Sequence, residues 1–352
     1  MPDSLPVHKL PAPATGAPGP PAAWPPPLEN GPGSDETGAA YRPIWVQMPT
    51  PRTRHRLWLH VLLFLVTAAV CTYIGRDHWL GFKMDYGYVP LRAVLRGLTP
   101  TTLMLRGLWY MLTILAILGC HEMGHYFACR YYRINASLPY FIPAPPPFIT
   151  GTFGAFIKIR QPFPSRRALF DVGIAGPIAG FVVAVPALFI GVALSHVTRV
   201  PLRFVGEELG EPIILKLAAR LFWGTIPDGY SLNLHPMAFA AWFGILATVL
   251  NLLPIGQLDG GHIAYTVLGR RSSQLTRVML VGVFGMVFVA WSWLFWGVLL
   301  LLMLGTFGVA HPPTLDDSLP LGTGRKILVG VAIAIFILCF MAVPIRPLDL
   351  VR

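Results

Sequence analysis

Residues 121–125 read His-Glu-Met-Gly-His and follow a long apolar run that begins at Leu108. On a helix, His121 and His125 are four positions apart, so their rings lie on one face within reach of a single metal ion. Glu122, between them, is placed to act as a base on a water bound to that ion, as in the HExxH pattern of zinc hydrolases. The motif stands on an apolar segment, where such side chains are costly unless they have a function. We therefore predict a zinc-dependent hydrolytic site on a membrane-spanning helix.

The third protein ligand must come from elsewhere in the chain, because a catalytic zinc site has three protein ligands and one open position. Asp259 follows Pro254 and Gly256, which should break a helix and bend the chain toward a partner. Asp259 could also serve as the N-cap of a helix over 260–268, a role compatible with metal binding. The rival ligand is Asp171, in the first turn of another apolar run. We favour Asp259 over Asp171.

The composition is that of a membrane protein. The 352 residues are 54% hydrophobic and only 12% charged, whereas soluble domains carry about 25% charged residues. The net charge of +11 comes from short basic clusters at the ends of apolar segments, a pattern that favours contact with anionic lipid and argues against nucleic-acid binding. Four cysteines without a CxxC pair indicate neither a disulfide framework nor a thiolate zinc site.

Several apolar stretches are long enough to cross a bilayer, which takes about 20 residues of helix. We predict an all-α polytopic membrane protein with about six transmembrane helices, seven or eight being the alternative. The predicted spans are 57–75, 108–129, 168–195, 236–253, 278–305 and 327–343. The fifth span is long and is either one tilted helix or a hairpin of two short ones.

The two ends of the chain differ sharply in composition. Residues 1–52 are rich in proline, glycine and alanine and have no apolar period, so we predict a disordered N-terminal tail. Residues 53–352 are predicted to form a transmembrane domain that carries the zinc hydrolase motif. The tail has neither the pattern of a signal peptide nor that of a transit peptide, and we therefore expect an integral, multi-pass protein of the bacterial inner membrane.

Residues 140–160 interrupt the helical pattern. Prolines at 143 and 145–147 preclude a helix, and 151–159 is typical of a short strand with small residues. Irregular backbone at membrane depth is tolerated only where protein or a watery cavity covers it. Two interpretations remain open: a short re-entrant β segment near the metal site, and an ordinary cytoplasmic loop.

Two separated motifs together resemble the site-2 protease family of intramembrane zinc metalloproteases. The first is the His-Glu-Met-Gly-His of 121–125, and the second is the Asn-x-x-Pro…Leu-Asp-Gly-Gly of 251–261. A lone HExxH arises often by chance, but this pair on two apolar segments rarely does. Three further stretches resemble the branch that lacks PDZ and CBS domains, and they are 151–159, 175–180 and 311–317. The resemblance covers roughly residues 57–345.

The resemblance implies hydrolysis of peptide bonds within the bilayer, and therefore that residues 53–352 form a transmembrane metalloprotease domain. It implies that His121, His125 and Asp259 bind Zn²⁺ and that Glu122 activates water. It also implies that Asn251 orients or stabilises the scissile carbonyl group.

The same resemblance implies how a substrate is held. The segment 151–159 would offer a strand edge to an extended substrate, with Gly151, Phe153, Gly154 and Ala155 as substrate-binding residues. The expected substrate is a single-span membrane protein that unwinds before it is cut, and the other expected partner is the lipid bilayer.

Two other function classes compete with a protease. A non-proteolytic zinc-binding scaffold or a transporter would also need metal ligands in a membrane. Transporters usually place ligands on several helices and contain inverted repeats, and the sequence shows no internal repeat. A membrane chaperone that retains the fold would be expected to lose Glu122, which is present.

Several other polar and small residues have structural interpretations. Gly176 and Gly180 indicate close helix packing against the metal-bearing helix. His262 is expected to be a polar residue near the membrane interface, with a supporting contact or a spare ligand as the alternative. His311, with Asp316 and Asp317, is expected to form a capped loop rather than a metal site.

Overall fold

The computed structural model describes residues 56–201, 205–308, 311–318 and 320–349. Within these residues, three helical segments are long and apolar enough to cross a membrane by length and composition, and they are Leu57–Gly87, Pro100–Tyr131 and Arg166–Ala193. They correspond to the first three predicted spans. The Pro-rich tail predicted for 1–52 lies outside the described residues.

The described residues are mostly helical. The helices are α1 (Leu57–Met84), α2 (Leu91–Val94), α3 (Pro100–Arg106), α4 (Leu108–Tyr131), α5 (Arg166–Ala193), α6 (Ile213–Trp223), α7 (Pro236–Leu252), α8 (Asp259–Leu268), α9 (Ser272–Gly285), α10 (Ser292–Phe307) and α11 (Thr323–Cys339). The strands are β1 (Tyr140–Pro143), β2 (Thr152–Phe156), β3 (His196–Arg199), β4 (Val205–Leu209), β5 (Tyr230–Asn233) and β6 (Ile345–Asp349).

Helix α5 is the centre of the bundle, since it packs against α4, α7 and α8. Its N-terminus is capped by Ser165, whose side chain accepts a hydrogen bond from the Ala168 N–H. The largest apolar cluster lies around α5 and α7 and includes the fully buried Leu188, Trp242 and Ile245. Helix α7 is apolar around its whole circumference because neighbouring elements cover it on several sides.

The fifth predicted span is not one helix. Helix α9 ends at Gly285, a single 3₁₀ turn covers Met286–Phe288, and α10 begins at Ser292. The two helices pack against each other. The interpretation as one tilted helix is therefore wrong, and the alternative with two short helices describes the segment.

The prediction of an all-α fold is incomplete, because the described strands form three two-stranded antiparallel sheets, β1–β2, β3–β5 and β4–β6. The β3–β5 pair joins the end of α1 through Asp85. The Asp85 carboxylate accepts hydrogen bonds from His196 Nε2 at 2.9 Å, Thr198 Oγ1 at 2.8 Å and Asn233 Nδ2 at 2.8 Å.

The β1–β2 hairpin extends along α1. His60 Nδ1 lies 3.1 Å from the Pro139 carbonyl oxygen near the start of the hairpin, and His78 Nε2 lies 2.8 Å from the Ile149 carbonyl oxygen at its tip. These histidines are 18 residues apart on one helix, which corresponds to about 27 Å at 1.5 Å per residue. From α4, the Tyr110 hydroxyl donates to the Thr150 carbonyl oxygen at 2.8 Å. Helix α1 therefore holds the hairpin along most of its own length, and α4 holds the hairpin tip.

Candidate metal centre

Three predicted ligands, from two helices far apart in sequence, meet at one point. His121 Nε2 lies 3.2 Å from Asp259 Oδ2, His125 Nε2 lies 3.3 Å from Asp259 Oδ1, and the two Nε2 atoms are 3.2 Å apart. Both histidines are buried. In the described part of the chain, this is the group of His, Cys, Asp and Glu side chains whose geometry could hold a metal ion.

The donor set fits zinc. Zinc in proteins is tetrahedral with bonds of about 2.0–2.2 Å to imidazole nitrogen and carboxylate oxygen, so neighbouring donor atoms should lie about 3.3 Å apart. The distances of 3.2–3.3 Å match that spacing. Two imidazoles and one carboxylate also leave a tetrahedral position for water, as a hydrolytic zinc site requires.

A hydrogen bond between His125 and the backbone of α5 fixes which ring nitrogen of His125 carries the proton. His125 Nδ1 lies 2.7 Å from the Val172 carbonyl oxygen of α5. Because a carbonyl oxygen only accepts, Nδ1 must carry the proton and donate. The neutral ring then presents an unprotonated Nε2 to the metal position, which is the usual arrangement of a metal-binding histidine.

Glycines on α5 make room for the two histidines. A Cβ atom added to Gly176 would lie 2.1 Å from His125 Nε2, and one added to Gly180 would lie 3.2 Å from His121 Cβ and Nδ1. On α4, a Cβ atom at Gly124 would lie 2.5 Å from the Ala175 carbonyl oxygen. The small residues therefore let α5 press against the metal-bearing helix, as their spacing predicts.

We expect Gly176→Ala to weaken zinc binding by about 10–100-fold, the loss typical when the support of a ligand is disturbed. The added methyl group would occupy the place of the His125 ring. Zinc content after dialysis against a graded chelator series measures the effect. Gly330→Ala is the matched control, because a Cβ atom there meets nothing within 4 Å. Equal zinc retention by the two variants would show that α5 does not set the position of His125.

The two other predicted catalytic residues adjoin the ligands. Glu122 is buried, and its carboxylate lies beside the backbone of Ile157, just beyond the end of β2. Asn251, in the last turn of α7, places its Nδ2 atom 3.4 Å from His121 Nε2. The base and the amide therefore both adjoin the metal position.

Asp259 and Asp171 have separate roles. Helix α8 begins at Asp259 itself, and its N-cap residue is Leu258, which makes no side-chain cap. The expectation that Asp259 caps the helix is therefore wrong, and both of its oxygens face the histidines. Asp171 instead accepts bonds from Arg325 Nε at 2.8 Å and Nη2 at 2.6 Å and from the Tyr132 hydroxyl. It joins α4, α5 and α11 and lies outside the metal centre.

The predicted substrate-binding residues divide into two groups. Gly151 precedes β2 in a turn with φ of +69°, and a Cβ atom there would lie 3.0 Å from Cys71 Cα, so it contacts α1 and offers no strand edge. Substrate binding by Gly151 stays a prediction. Phe153, Gly154 and Ala155 lie in β2, and Phe153 is 54% exposed.

Sequence reasoning missed two contacts close to the site. His262 Nδ1 lies 2.7 Å from His311 Nε2, and the Tyr265 ring stacks on that of His311 with centroids 4.6 Å apart. His262 is thus held in a protein contact rather than serving as a polar residue at the interface. The partners are 49 residues apart in sequence, and no local pattern connects them.

Comparisons with known proteins support a single family. The family model described as Peptidase family M50 matches residues 109–292, which include all three ligands. The chain is 31% identical over 231 residues to "Probable zinc metalloprotease EGY2, chloroplastic" of Oryza sativa subsp. indica, covering 65% of this chain and 41% of that protein. It is 32% identical over 244 residues to "Probable zinc metalloprotease EGY1, chloroplastic" of Arabidopsis thaliana, covering 65% and 42%. The chain thus spans about two fifths of the length of these relatives. No solved structure matches it.

Proposed function

Since the chain belongs to peptidase family M50, we propose that it is an intramembrane zinc metalloprotease that hydrolyses peptide bonds of transmembrane substrates. The predicted resemblance to the site-2 protease family is confirmed by the family match. The observation that carries the proposal is the meeting of His121, His125 and Asp259 beside the buried Glu122. A scaffold or transporter would need the three ligands but has no use for a carboxylate beside them.

The residues around the metal position divide the chemistry between them. Zinc, when bound, would lower the pKa of water toward about 7 and polarise the scissile carbonyl group. Glu122 would take a proton from the attacking water and deliver it to the leaving amine. The Asn251 amide, whose Nδ2 atom lies 3.4 Å from His121 Nε2, would donate a hydrogen bond to the carbonyl oxygen as charge develops on it.

We propose that the β1–β2 hairpin is a re-entrant segment that binds the substrate. The hairpin lies along α1, one of the three helices long and apolar enough to cross a membrane. Strand β2 pairs only with β1 among the described residues, so its second edge is available to an added strand. The backbone of Ile157, just beyond the end of β2, lies beside Glu122, and a substrate strand on β2 would therefore run toward the base.

We expect Phe153→Pro to reduce cleavage strongly while zinc stays bound. The β1–β2 register passes from Gly154 to Thr152 and skips Phe153, so proline there would remove an N–H without removing a Cα pair of the hairpin. Phe153→Ala is the matched control, since it removes the ring and keeps the N–H. If main-chain pairing holds the substrate, cleavage in liposomes should fall for the proline variant and persist for the alanine variant. Equal cleavage by a folded, zinc-loaded Phe153→Pro protein would eliminate the strand-edge proposal.

We further propose six membrane spans in a multi-pass protein. The three remaining spans would be α7, the α9–α10 pair and α11. The proposed substrate is a single-span membrane protein. The bacterial inner membrane stays a prediction, and the relatives with chloroplastic names do not support it.

A comparison in cells tests the proposed activity and identifies substrates. Membrane-protein fragments from cells with the wild-type protein should be matched, by mass spectrometry, against those from cells with Glu122→Gln. We expect a small set of fragments cut within a span to disappear in the variant. If no fragment depends on Glu122, the result contradicts the protease proposal and favours the scaffold alternative.

A further inference from the structure

The segment 311–317, which we call the HPP loop, joins two elements that build the metal centre. On one side it binds the N-terminus of α5. The Leu315 N–H donates to the Phe163 carbonyl oxygen at 3.0 Å, and the Arg166 N–H donates to the Asp316 carbonyl oxygen at 3.3 Å. Helix α5 carries the glycines and the Val172 carbonyl oxygen that surround His125.

On its other side, the HPP loop holds helix α8, which carries Asp259. His311 Nε2 lies 2.7 Å from His262 Nδ1, and the His311 ring stacks on Tyr265. The Tyr265 hydroxyl donates to Asp317 Oδ2 at 2.7 Å. The loop thus binds His262 and Tyr265, which lie three positions apart on one face of α8.

The hydrogen-bond directions in the histidine pair can be assigned. His311 Nδ1 lies 2.6 Å from the Pro312 carbonyl oxygen, so it must donate. Burial and the adjoining His311 lower the pKa of His262 to about 3, and burial lowers the pKa of His311. Both rings are therefore neutral at pH 7. His311 Nε2 then accepts, His262 Nδ1 donates, and the pair forms a single directed bond.

Two glycines anchor the first turn of helix α8 tightly. A Cβ atom at Gly260 would lie 2.0 Å from the Leu252 carbonyl oxygen, and one at Gly261 would lie 2.2 Å from the Gly256 carbonyl oxygen. This anchor fixes the position of the first turn but does not by itself fix rotation about the helix axis. A rotation of about 10° at a helix radius of about 5–6 Å moves a side chain by about 1 Å. That exceeds the tolerance of about 0.2 Å in metal–ligand distances.

We propose that His311 and Asp317 are positioning residues that set the rotation of α8 and thereby hold the Asp259 carboxylate on the metal. His262 and Tyr265 transmit the constraint, since His262 lies one turn beyond Asp259 and packs against Gly173 of α5. The inference rests on the proposed zinc site. It adds a set of residues outside the ligands that determines how long the metal stays bound.

The test is the rate of zinc release from the purified full-length protein to excess chelator, with the thermal unfolding midpoint measured in parallel. We expect His311→Ala to release zinc about 10–100-fold faster than the wild type, the range found when a partner behind a ligand is lost. His311→Gln should restore slow release, because its side-chain oxygen can accept the bond from His262. Tyr265→Phe keeps the ring and loses the bond to Asp317, so it should show a smaller acceleration.

Two controls separate positioning from general stability. Asp316→Ala is the neighbouring change, since that carboxylate bonds only Ser318 in the described residues, and it should release zinc at the wild-type rate. Asp171→Ala breaks an ion pair with Arg325 away from the ligands and should lower the unfolding midpoint without faster release. If His311→Ala and Asp171→Ala lose zinc in proportion to their unfolding midpoints, the loop acts through stability and the inference is wrong.

Other outcomes also decide the question. Wild-type release from folded His311→Ala would overturn the inference, and if that variant fails to fold, Tyr265→Phe decides in the same way. A fall from two zinc ions to one in His311→Ala would show that the histidine pair is itself a metal site, which also overturns it. The measurement of zinc release needs no substrate. A protein that binds zinc but cleaves nothing would therefore contradict the protease proposal without contradicting the inference about the HPP loop.

Discussion

Glu122→Gln is expected to lower the cleavage rate by about 10²–10⁴-fold, the usual contribution of a general base, with zinc content unchanged. Glutamine has the same shape as glutamate, so the packing of this buried side chain beside Ile157 should persist. It cannot take the proton from water. Cleavage of a single-span substrate in liposomes, with zinc measured in the same preparation, gives both quantities.

The control for this variant is the neighbouring Met123→Leu, which changes a side chain on the same turn without changing the ligands or the base. It should cleave and bind zinc like the wild type. Near-normal cleavage by Glu122→Gln would remove the proposed role of the base and favour a scaffold. Loss of zinc in Glu122→Gln would instead make Glu122 a ligand.

Removing a ligand should have the largest effect on the metal itself. We expect about one zinc ion per chain in the wild type, and His121→Ala, His125→Ala or Asp259→Ala should each deplete it. The loss should exceed the about 10–100-fold typical of residues behind the ligands, because three protein donors are the minimum for a tight catalytic site. Elemental analysis after gel filtration measures the stoichiometry, and cleavage should fall with it.

Asp171→Ala is the matched control for Asp259→Ala, since both remove a buried or half-buried carboxylate. Asp171 pairs with Arg325 at 2.6 Å and has no contact with the histidines. Its loss should lower the unfolding midpoint and leave the zinc content at about one per chain. The reverse pattern, with zinc lost from Asp171→Ala and kept by Asp259→Ala, would mean that the ligand assignment is wrong.

The parts of the site that could be predicted depend on local sequence patterns or on residue types that are rare in apolar segments. Helix periodicity places His121 and His125 on one face of a helix, and this prediction needs only five consecutive residues. Asp259 was one of few acids in apolar surroundings and follows a helix break, and the structure has Gly256 at φ of +53° there. The first three spans were found because each is a continuous apolar run.

The parts that could not be predicted depend on contacts between distant segments. His262 and His311, and likewise Asp171 and Arg325, meet only after the helices pack, so neither pattern nor propensity reveals them. The break between α9 and α10 lies at Met286–Phe288, an apolar stretch without proline that looks like the middle of a span. Strand β1 was not predicted, because its extended backbone is stabilised by pairing with β2, and the residues of β1 alone do not show that pairing.

The most direct measurement is the cut itself. The purified protein should be reconstituted in liposomes with a single-span substrate in ¹⁸O-labelled water, and the fragments should be analysed by mass spectrometry. We predict a cut within the span, with ¹⁸O from water in the new carboxyl terminus. Chelation of zinc should abolish it, and Glu122→Gln should slow it by about 10²–10⁴-fold. Fragments that form at the wild-type rate in both cases, or that lie only outside the span, would contradict intramembrane hydrolysis at the centre formed by His121, His125 and Asp259.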